Sequence, residues 1–220
     1  MAHNYVKKMY NLSTTNATTV YTVPSEKTAF INSLRLNEIS GNATSWDVTI
    51  TDSSANVFSV YKSYAIAAGQ EQELFSRNMI LNEGDILKFT AATADRLVLH
   101  ASILERDQGV NNKFIAKHND YTTTDETTVY TVPAAKKAIL SEFWVSNDDL
   151  SNATGVNYVK IYNSSGTGFI LNQGTLAAGV SAEAMPRPAV LDESESIKVT
   201  AGAANRLHSH FSILEIGNPG

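Results

Sequence analysis

The chain has 220 residues, of which 43% are hydrophobic and 18% are charged, and it carries a formal net charge of -5. This composition is typical of a globular protein long enough to bury a real core, and it excludes a disordered chain. The lack of cysteine excludes disulfide frameworks and thiolate metal sites, and the negative charge argues against a nucleic-acid partner.

Neither a membrane segment nor a secretory signal is indicated. Apolar runs such as Ala65–Ala68 are far shorter than the roughly 20 residues that a membrane helix needs. Lys7 and Lys8 precede a polar stretch, whereas a secretory signal places its positive charge before an apolar one. We therefore expect a protein that folds where it is made and has no membrane partner.

Strand patterns follow one another along the first half of the chain. The segment TTVYTVP at 18–24 predicts a strand that Pro24 closes, because proline has no amide donor for the ladder. Apolar and polar residues alternate in the segment WDVTI at 46–50, which predicts a half-buried strand with Trp46 in the core.

Turns and a closing strand complete this half. An Ala-Ala-Gly turn stands at 67–69, and the turn LNEGD at 81–85 leads into a strand. The closing strand is predicted to bury one face, formed by Leu97, Leu99, Ala101 and Ile103. Helical patterns are scarce throughout.

The same elements return in the second half. TTVYTVP recurs without change at 127–133, which is too long an identity for chance. The matches continue in the same order to SILE, which stands at 102–105 and again at 212–215. In the second closing strand, Ser209 and Phe211 replace Leu99 and Ala101, which indicates volume-conserving repacking of a core.

Collinear matches indicate two complete folding units. We predict two domains, 1–109 and 110–220, with the boundary in the polar segment Asp107–Asn112. Each copy holds about seven or eight short strands with tight turns, the pattern of an all-β antiparallel sandwich. The sequence leaves jelly-roll and immunoglobulin-like topologies both open.

Two histidines are the best candidates for a metal site. His208 and His210 stand two apart on one predicted strand, so their rings project from the same face. The first copy has Val98 at the position of His208, and no carboxylate lies nearby in sequence to complete a ligand set. We therefore favour a structural role and predict no metal site.

No arrangement of residues predicts an enzyme. Glu71, Glu73, Glu193 and Glu195 lie in turn-rich polar segments, and no pair of them is placed across a cleft by the pattern. A Gly-x-Ser-x-Gly motif is absent, and the glycines at 166–168 are followed by no lysine that would bind phosphate. We expect no catalytic residues and no cofactor.

Trp144 is the candidate contact residue. It lies between Phe143 and Val145 and aligns with Arg35 of the first copy, so alternation predicts that it faces away from the core. An exposed aromatic residue indicates either a protein contact or a platform for stacking a sugar. We favour the protein contact, with Trp144 and Arg35 as interface candidates.

Several motifs resemble those of small β-sandwich virion proteins of tailed bacteriophages. They are the opening Thr-x-Val-Tyr-Thr-Val-Pro, the Ala-Ala-Gly turn, and the Leu-x-Glu-x-(Asp/Glu) turn before a Lys-x-Thr-Ala strand. The resemblance runs through both copies. It implies a non-enzymatic structural role, first as a capsid decoration or cement protein and alternatively as a tail- or fibre-associated adaptor.

The resemblance also implies partners and a location. The protein would bind the major capsid protein or tail proteins, form a homo-oligomer in the particle, and be made in the host bacterial cytoplasm before it enters the virion. Two similar domains suit such a role, because several modest contacts made at once hold a subunit firmly. A carbohydrate- or receptor-binding module, suggested by Trp144 and the aromatic-rich strands, is the remaining alternative.

Overall fold

The computed structural model describes residues 3–109, 112–185 and 187–217. These residues form eighteen β-strands joined by turns and bends, and they contain no helix. In the described part of the chain there is accordingly no helix that could span a membrane. The prediction of an all-β protein is confirmed.

The chain divides into two compact units, Met1–Gln108 and Gly109–Gly220. This division falls one residue before the boundary that the sequence predicts, and residues 110 and 111 of the predicted linker lie outside the described residues. The described strands of the first unit are β1 (His3–Asn11), β2 (Thr18–Thr22), β3 (Lys27–Glu38), β4 (Thr44–Thr51), β5 (Val57–Ile66), β6 (Glu71–Glu73), β7 (Met79–Leu81), β8 (Ile86–Ala91) and β9 (Leu97–Asp107).

The second unit repeats this series of strands. They are β10 (Asn112–Asp120), β11 (Thr127–Thr131), β12 (Lys136–Asn147), β13 (Val156–Tyr162), β14 (Gly168–Thr175), β15 (Ser181–Glu183), β16 (Ala189–Leu191), β17 (Ser196–Thr200) and β18 (Leu207–Gly217).

Each unit consists of two antiparallel sheets. In the first unit the strand orders are β1-β9-β3-β6, with β7 also paired to β3, and β2-β8-β4-β5. The second unit has the same orders, β10-β18-β12-β15 with β16 on β12, and β11-β17-β13-β14. This crossing of strands between two sheets is the jelly-roll arrangement. The structure therefore decides between the two topologies that the sequence leaves open.

A β-bulge lies at the same place in both copies. The pairing register shifts between Ile31 and Ser33 on β3, and between Leu140 and Glu142 on β12. Because a bulge adds one residue, it changes which side chains point into the core beyond it. Phe143 and Val145 therefore belong to the core of the second unit.

The core of the first unit is built around Trp46, as the sequence predicts. Its side chain is only 1% exposed. The ring centroid lies 4.9 Å from that of Tyr61, 5.3 Å from that of Tyr64 and 5.3 Å from that of Phe89, with the Phe89 ring stacked. All four residues belong to the β2-β8-β4-β5 sheet.

The core of the second unit places its rings elsewhere. Phe143 and Phe211 stack at 4.5 Å between centroids, and both belong to the β10-β18-β12-β15 sheet. The volume lost at Ser209 is recovered by Tyr121, whose hydroxyl lies 2.7 Å from the serine oxygen. Tyr121 occupies the position of Leu12. The backbone amide of Tyr121 donates to the carbonyl of Leu207, and that of Leu12 donates to the carbonyl of Leu97, which are the first residues of the two closing strands.

Candidate functional site

Arg35 lies on the exposed face of β3. Its Nε donates to Glu73 Oε2 at 2.7 Å, and its Nη1 lies 3.4 Å from Glu71 Oε1. More than half of the arginine side chain is exposed, so these ion pairs contribute at most about 1 kcal/mol each to stability. Glu71 and Glu73 therefore neutralise a surface cation and do not form an acid and base pair.

Trp144 occupies the corresponding position on β12, and the expectation of an exposed ring is wrong. The ring is only 6% exposed although the residue is not part of the core cluster of its unit. The pairing register places Trp144 between His210 on β18 and Glu183 on β15, inside the sheet and not at its edge. A sugar cannot stack on a covered ring, so Trp144 offers no carbohydrate platform.

The two histidines on β18 each have a polar partner that sequence spacing does not reveal. His208 Nε2 lies 2.9 Å from Asp148 Oδ2, and His210 Nδ1 lies 3.0 Å from Nδ1 of His118 on β10. Burial, followed by the neighbouring His118, lowers the pKa of His210 well below its usual value. In the described parts of the chain, no group of three or more His, Asp or Glu side chains is placed to hold a metal ion.

A chain of hydrogen bonds continues from His210 to a carboxylate. His210 Nε2 lies 3.1 Å from Ser212 Oγ, which donates to Glu142 Oε2 at 2.9 Å. Because the serine proton points to Glu142, His210 must donate to the serine oxygen, the reverse of the proton path that a serine nucleophile needs. His210, Ser212 and Glu142 are at most 3% exposed, so no substrate can reach them.

The first unit exposes large apolar side chains along β1. This strand is an edge of its sheet, and Tyr5 and Met9 are 77% and 61% exposed. They stand four residues apart and therefore project from the same face, with Lys7 between them. Together with His100 and Ser102 on β9, Tyr5 and Lys7 border a shallow surface hollow.

The second unit exposes large apolar side chains along a different edge strand, β14. Phe169 and Ile170 are 58% and 57% exposed. Sequence reasoning missed both exposed sites, although Tyr5 and Met9 carry a usable signal, since they alternate with Lys7 along one strand. No such alternation marks Phe169 and Ile170.

A cavity of about 190 Å³ opens beside β14 in the second unit. Its buried wall is apolar apart from Asn157, and its mouth carries the exposed residues Gln173, Gly174 and Thr175. The lining residues are Phe143, Val145, Asn157, Val159, Asn172, Gln173, Gly174, Thr175, Leu176, Ala182, Glu183, Ala184 and Leu207.

No protein-family model matches this sequence, and no curated protein matches it. Comparison with solved structures gives matches of low identity and low TM-score. An atomic structure of Sulfolobus Turreted Icosahedral Virus is 13% identical with a TM-score of 0.34, and the match covers 100% of this chain and 58% of that one. This chain therefore spans less than two thirds of that structure.

Two further structures show the range of the matches. The major capsid protein P2 from Bacteriophage PM2 is 8% identical with a TM-score of 0.34, covering 98% of this chain and 97% of that one. The CBM22-1-CBM22-2 tandem domain from Paenibacillus barcinonensis Xyn10C is 9% identical with a TM-score of 0.27, covering 89% and 80%. The neighbours thus include viral capsid proteins, but TM-scores this low carry no argument about function.

Proposed function

We propose that the protein is a non-enzymatic structural component of a tailed-phage virion, which attaches to the capsid as a decoration or cement protein. The observation that carries the proposal is the exposure of large apolar side chains on an edge strand of each jelly roll. These are Tyr5 and Met9 on β1, and Phe169 and Ile170 on β14. Large apolar side chains left in water on a folded surface mark sites of protein contact. Tyr5 and Met9 share one face of β1, whereas Phe169 and Ile170 are consecutive and project from opposite faces of β14.

The physical basis of attachment is the burial of these two sites at once. Removing about 200 Å² of apolar surface from water at one site contributes roughly 5 kcal/mol before the cost of association. One such contact is weak on its own. Two contacts in one chain reinforce each other, because the first raises the effective concentration for the second.

The edge strands add a second means of contact. β1 and β14 each have a neighbour on one side only, so a row of backbone amides and carbonyls faces outward. A capsid protein can pair an extended segment with such an edge, and the apolar side chains then give the contact its specificity. Both features point to adhesion, since neither supplies a nucleophile or a general acid.

The first test is the copy number of the protein in purified particles. We expect a fixed ratio to the major capsid protein by quantitative mass spectrometry, and recovery with the heads once heads and tails are separated. Recovery with the tails would support the adaptor role instead. Protein found only free in the lysate would contradict both.

The second test examines the two apolar sites in binding to particles that lack the protein. We expect Tyr5→Ser with Met9→Ser, or Phe169→Ser with Ile170→Ser, to weaken binding by about tenfold or more. Val190→Ser is the control, because Val190 is 64% exposed on β16, which pairs with β12 and belongs to a different sheet from β14. Undiminished binding by the variant with all four serines would refute the role of these strands.

A further inference from the structure

The two jelly rolls can be matched residue by residue at the strands that border the cavity. Val48 on β4 and Val159 on β13 correspond, because each pairs with the matching position of the next strand, β8 or β17. Two residues earlier, on the same face of each strand, stand Trp46 and Asn157. An amide therefore replaces the indole ring at the centre of the first core.

The facing strands differ in the same way. The residue that pairs with the valine is Tyr61 on β5 and Asn172 on β14. Tyr61 Oη donates to the carbonyl oxygen of Leu74, and Asn172 Nδ2 donates to that of Ala184, the corresponding residue, at 2.6 Å. The second unit therefore keeps the hydrogen bond to this carbonyl but lacks the aromatic ring of Tyr61.

A third ring is missing at the mouth of the cavity. Tyr64 pairs with Trp46 in the first unit, and Gly174 pairs with Asn157 in the second. The exposed backbone of Gly174 borders the cavity, and a Cβ atom built on it would meet no other group within 4 Å. The space that a tyrosine fills in one copy is open in the other.

The cavity is therefore the remainder of an aromatic core. Phe143, which lines it, and Phe211, which stacks on Phe143, stand where the first unit has Leu34 and Ala101, and their larger rings recover part of the volume. About 190 Å³ stays unfilled. Since an apolar cavity of about 150 Å³ is enough to take up benzene, one or two fused rings fit here.

The chemistry of the walls defines what fits. Phe143, Val145 and Leu207 offer a buried apolar surface to the faces of a ring. Gln173 and Thr175 border the exposed mouth, where a polar substituent stays in contact with water. We propose that this cavity binds a small planar aromatic molecule with a polar substituent directed at the mouth. The proposal is independent of the virion role.

Indole, which is the side chain of Trp46 as a free molecule, is the direct probe. We expect saturable binding of indole to the full-length protein with a Kd of about 1 mM or tighter, measured from amide shifts in two-dimensional NMR spectra. The shifted amides should be those of residues 173–175. The corresponding amides of β5 should not move, because tyrosine and tryptophan side chains already fill that space.

Two substitutions of Gly174 distinguish loss of indole binding because the cavity is filled from loss of binding because the strand is disturbed. Gly174→Tyr copies the first unit, and we expect it to raise Tm and to weaken indole binding by about tenfold or more. Gly174→Ala leaves most of the cavity open, and its affinity should stay within about twofold of the wild-type value.

Asn172→Tyr, which copies Tyr61 of the first unit, fills the same space from a nearby position and decides the matter should Gly174→Tyr not fold. Absence of a saturable shift in the wild-type protein would overturn the proposal and leave a solvent-filled cavity. Unchanged indole binding in either folded tyrosine variant would overturn it as well.

Discussion

In the first jelly roll the rings of Trp46, Tyr61 and Phe89 lie on the β2-β8-β4-β5 sheet, whereas the stacked pair of the second, Phe143 and Phe211, lies on the sheet that contains β12 and β18. The strand order is the same in both units. The fold therefore accepts aromatic volume from either sheet. The exchange is incomplete, because the second unit retains a cavity.

The residue that ends β3 or β12 and ties together the two turns beside it shows a second contrast between the units. Glu38 at the end of β3 is 3% exposed and accepts hydrogen bonds from the amides of Ser40 at 2.7 Å, Gly41 at 3.0 Å and Gly69 at 2.7 Å. Asn147 at the end of β12 is fully buried and instead donates to carbonyls, 2.8 Å from that of Asn152. The same position is thus filled by a charged acceptor in the first unit and by a neutral amide that both donates and accepts in the second.

The largest effect is expected where the first core depends on one ring. Trp46→Ala should lower the free energy of unfolding by about 3–5 kcal/mol, because it empties a packed aromatic site. Asn157→Ala, its counterpart, should cost about 1–2 kcal/mol, since it removes the acceptor of the Gly202 amide. Urea unfolding gives the totals, and hydrogen exchange of peptides from each unit locates them. Equal losses would refute the contrast between the cores.

A smaller effect is expected where the two units agree. Tyr21 Oη donates to Glu105 at 2.8 Å, and Tyr130 Oη donates to Glu215 at 2.9 Å, with both carboxylates buried. Burial, with the adjacent carboxylate, raises the pKa of both tyrosines. Phenylalanine at either position should cost about 1–3 kcal/mol, because each change leaves a buried acceptor without this donor.

Urea unfolding of the Tyr21→Phe and Tyr130→Phe variants compares the two costs. We expect them to agree within about 1 kcal/mol, since the bonds are alike in length and burial. A large loss in one unit and none in the other would show that the two tyrosine–glutamate hydrogen bonds have diverged as the cores have.

The smallest effect is expected from acid. The hydrogen bond from Ser40, then the amide of Gly69, lowers the pKa of Glu38 to about 2 from an ordinary value of 4.5. Between these values the unfolded chain binds more protons, so this carboxylate stabilises the fold fully above 4.5 and loses that effect as the pH falls toward 2.

Glu38→Gln tests this acid sensitivity. We expect its Tm to be several degrees lower at pH 7 and less dependent on pH below 4.5 than that of the wild-type protein. Asn147→Ala is the matched control, because it disturbs the same position in the second unit and removes no titratable group. An unchanged acid slope in Glu38→Gln would contradict the assigned pKa.

Period-two alternation made part of this structure predictable. It placed Trp46 in the core and separated Trp144 from the residues that line the core of its unit. It could not show that Trp144 is covered, because exposure depends on strands that are distant in sequence. The topology was out of reach for the same reason, since strand order follows from pairing between β1 and β9 and not from either strand alone.

The cavity could not be predicted from the sequence, because it depends on the pairing register of several strands. A match between Trp46 and Asn157 requires the pairing of four strands, and β-bulges shift the pairing of β4 with β5 and of β13 with β14. A bulge moves every later residue to the other face, so an alignment based on identities misplaces the facing side chains. Histidine partners such as His118 were missed likewise, because they lie on other strands.

The most direct test of the account is an electron cryomicroscopy map of the intact particle at side-chain resolution. We expect density for the two jelly rolls on the capsid shell, with Tyr5 and Met9 of β1 and Phe169 and Ile170 of β14 buried against neighbouring subunits. A particle in which the protein is present but both strands face solvent would contradict the proposed attachment, and a particle without the protein would contradict the proposed function.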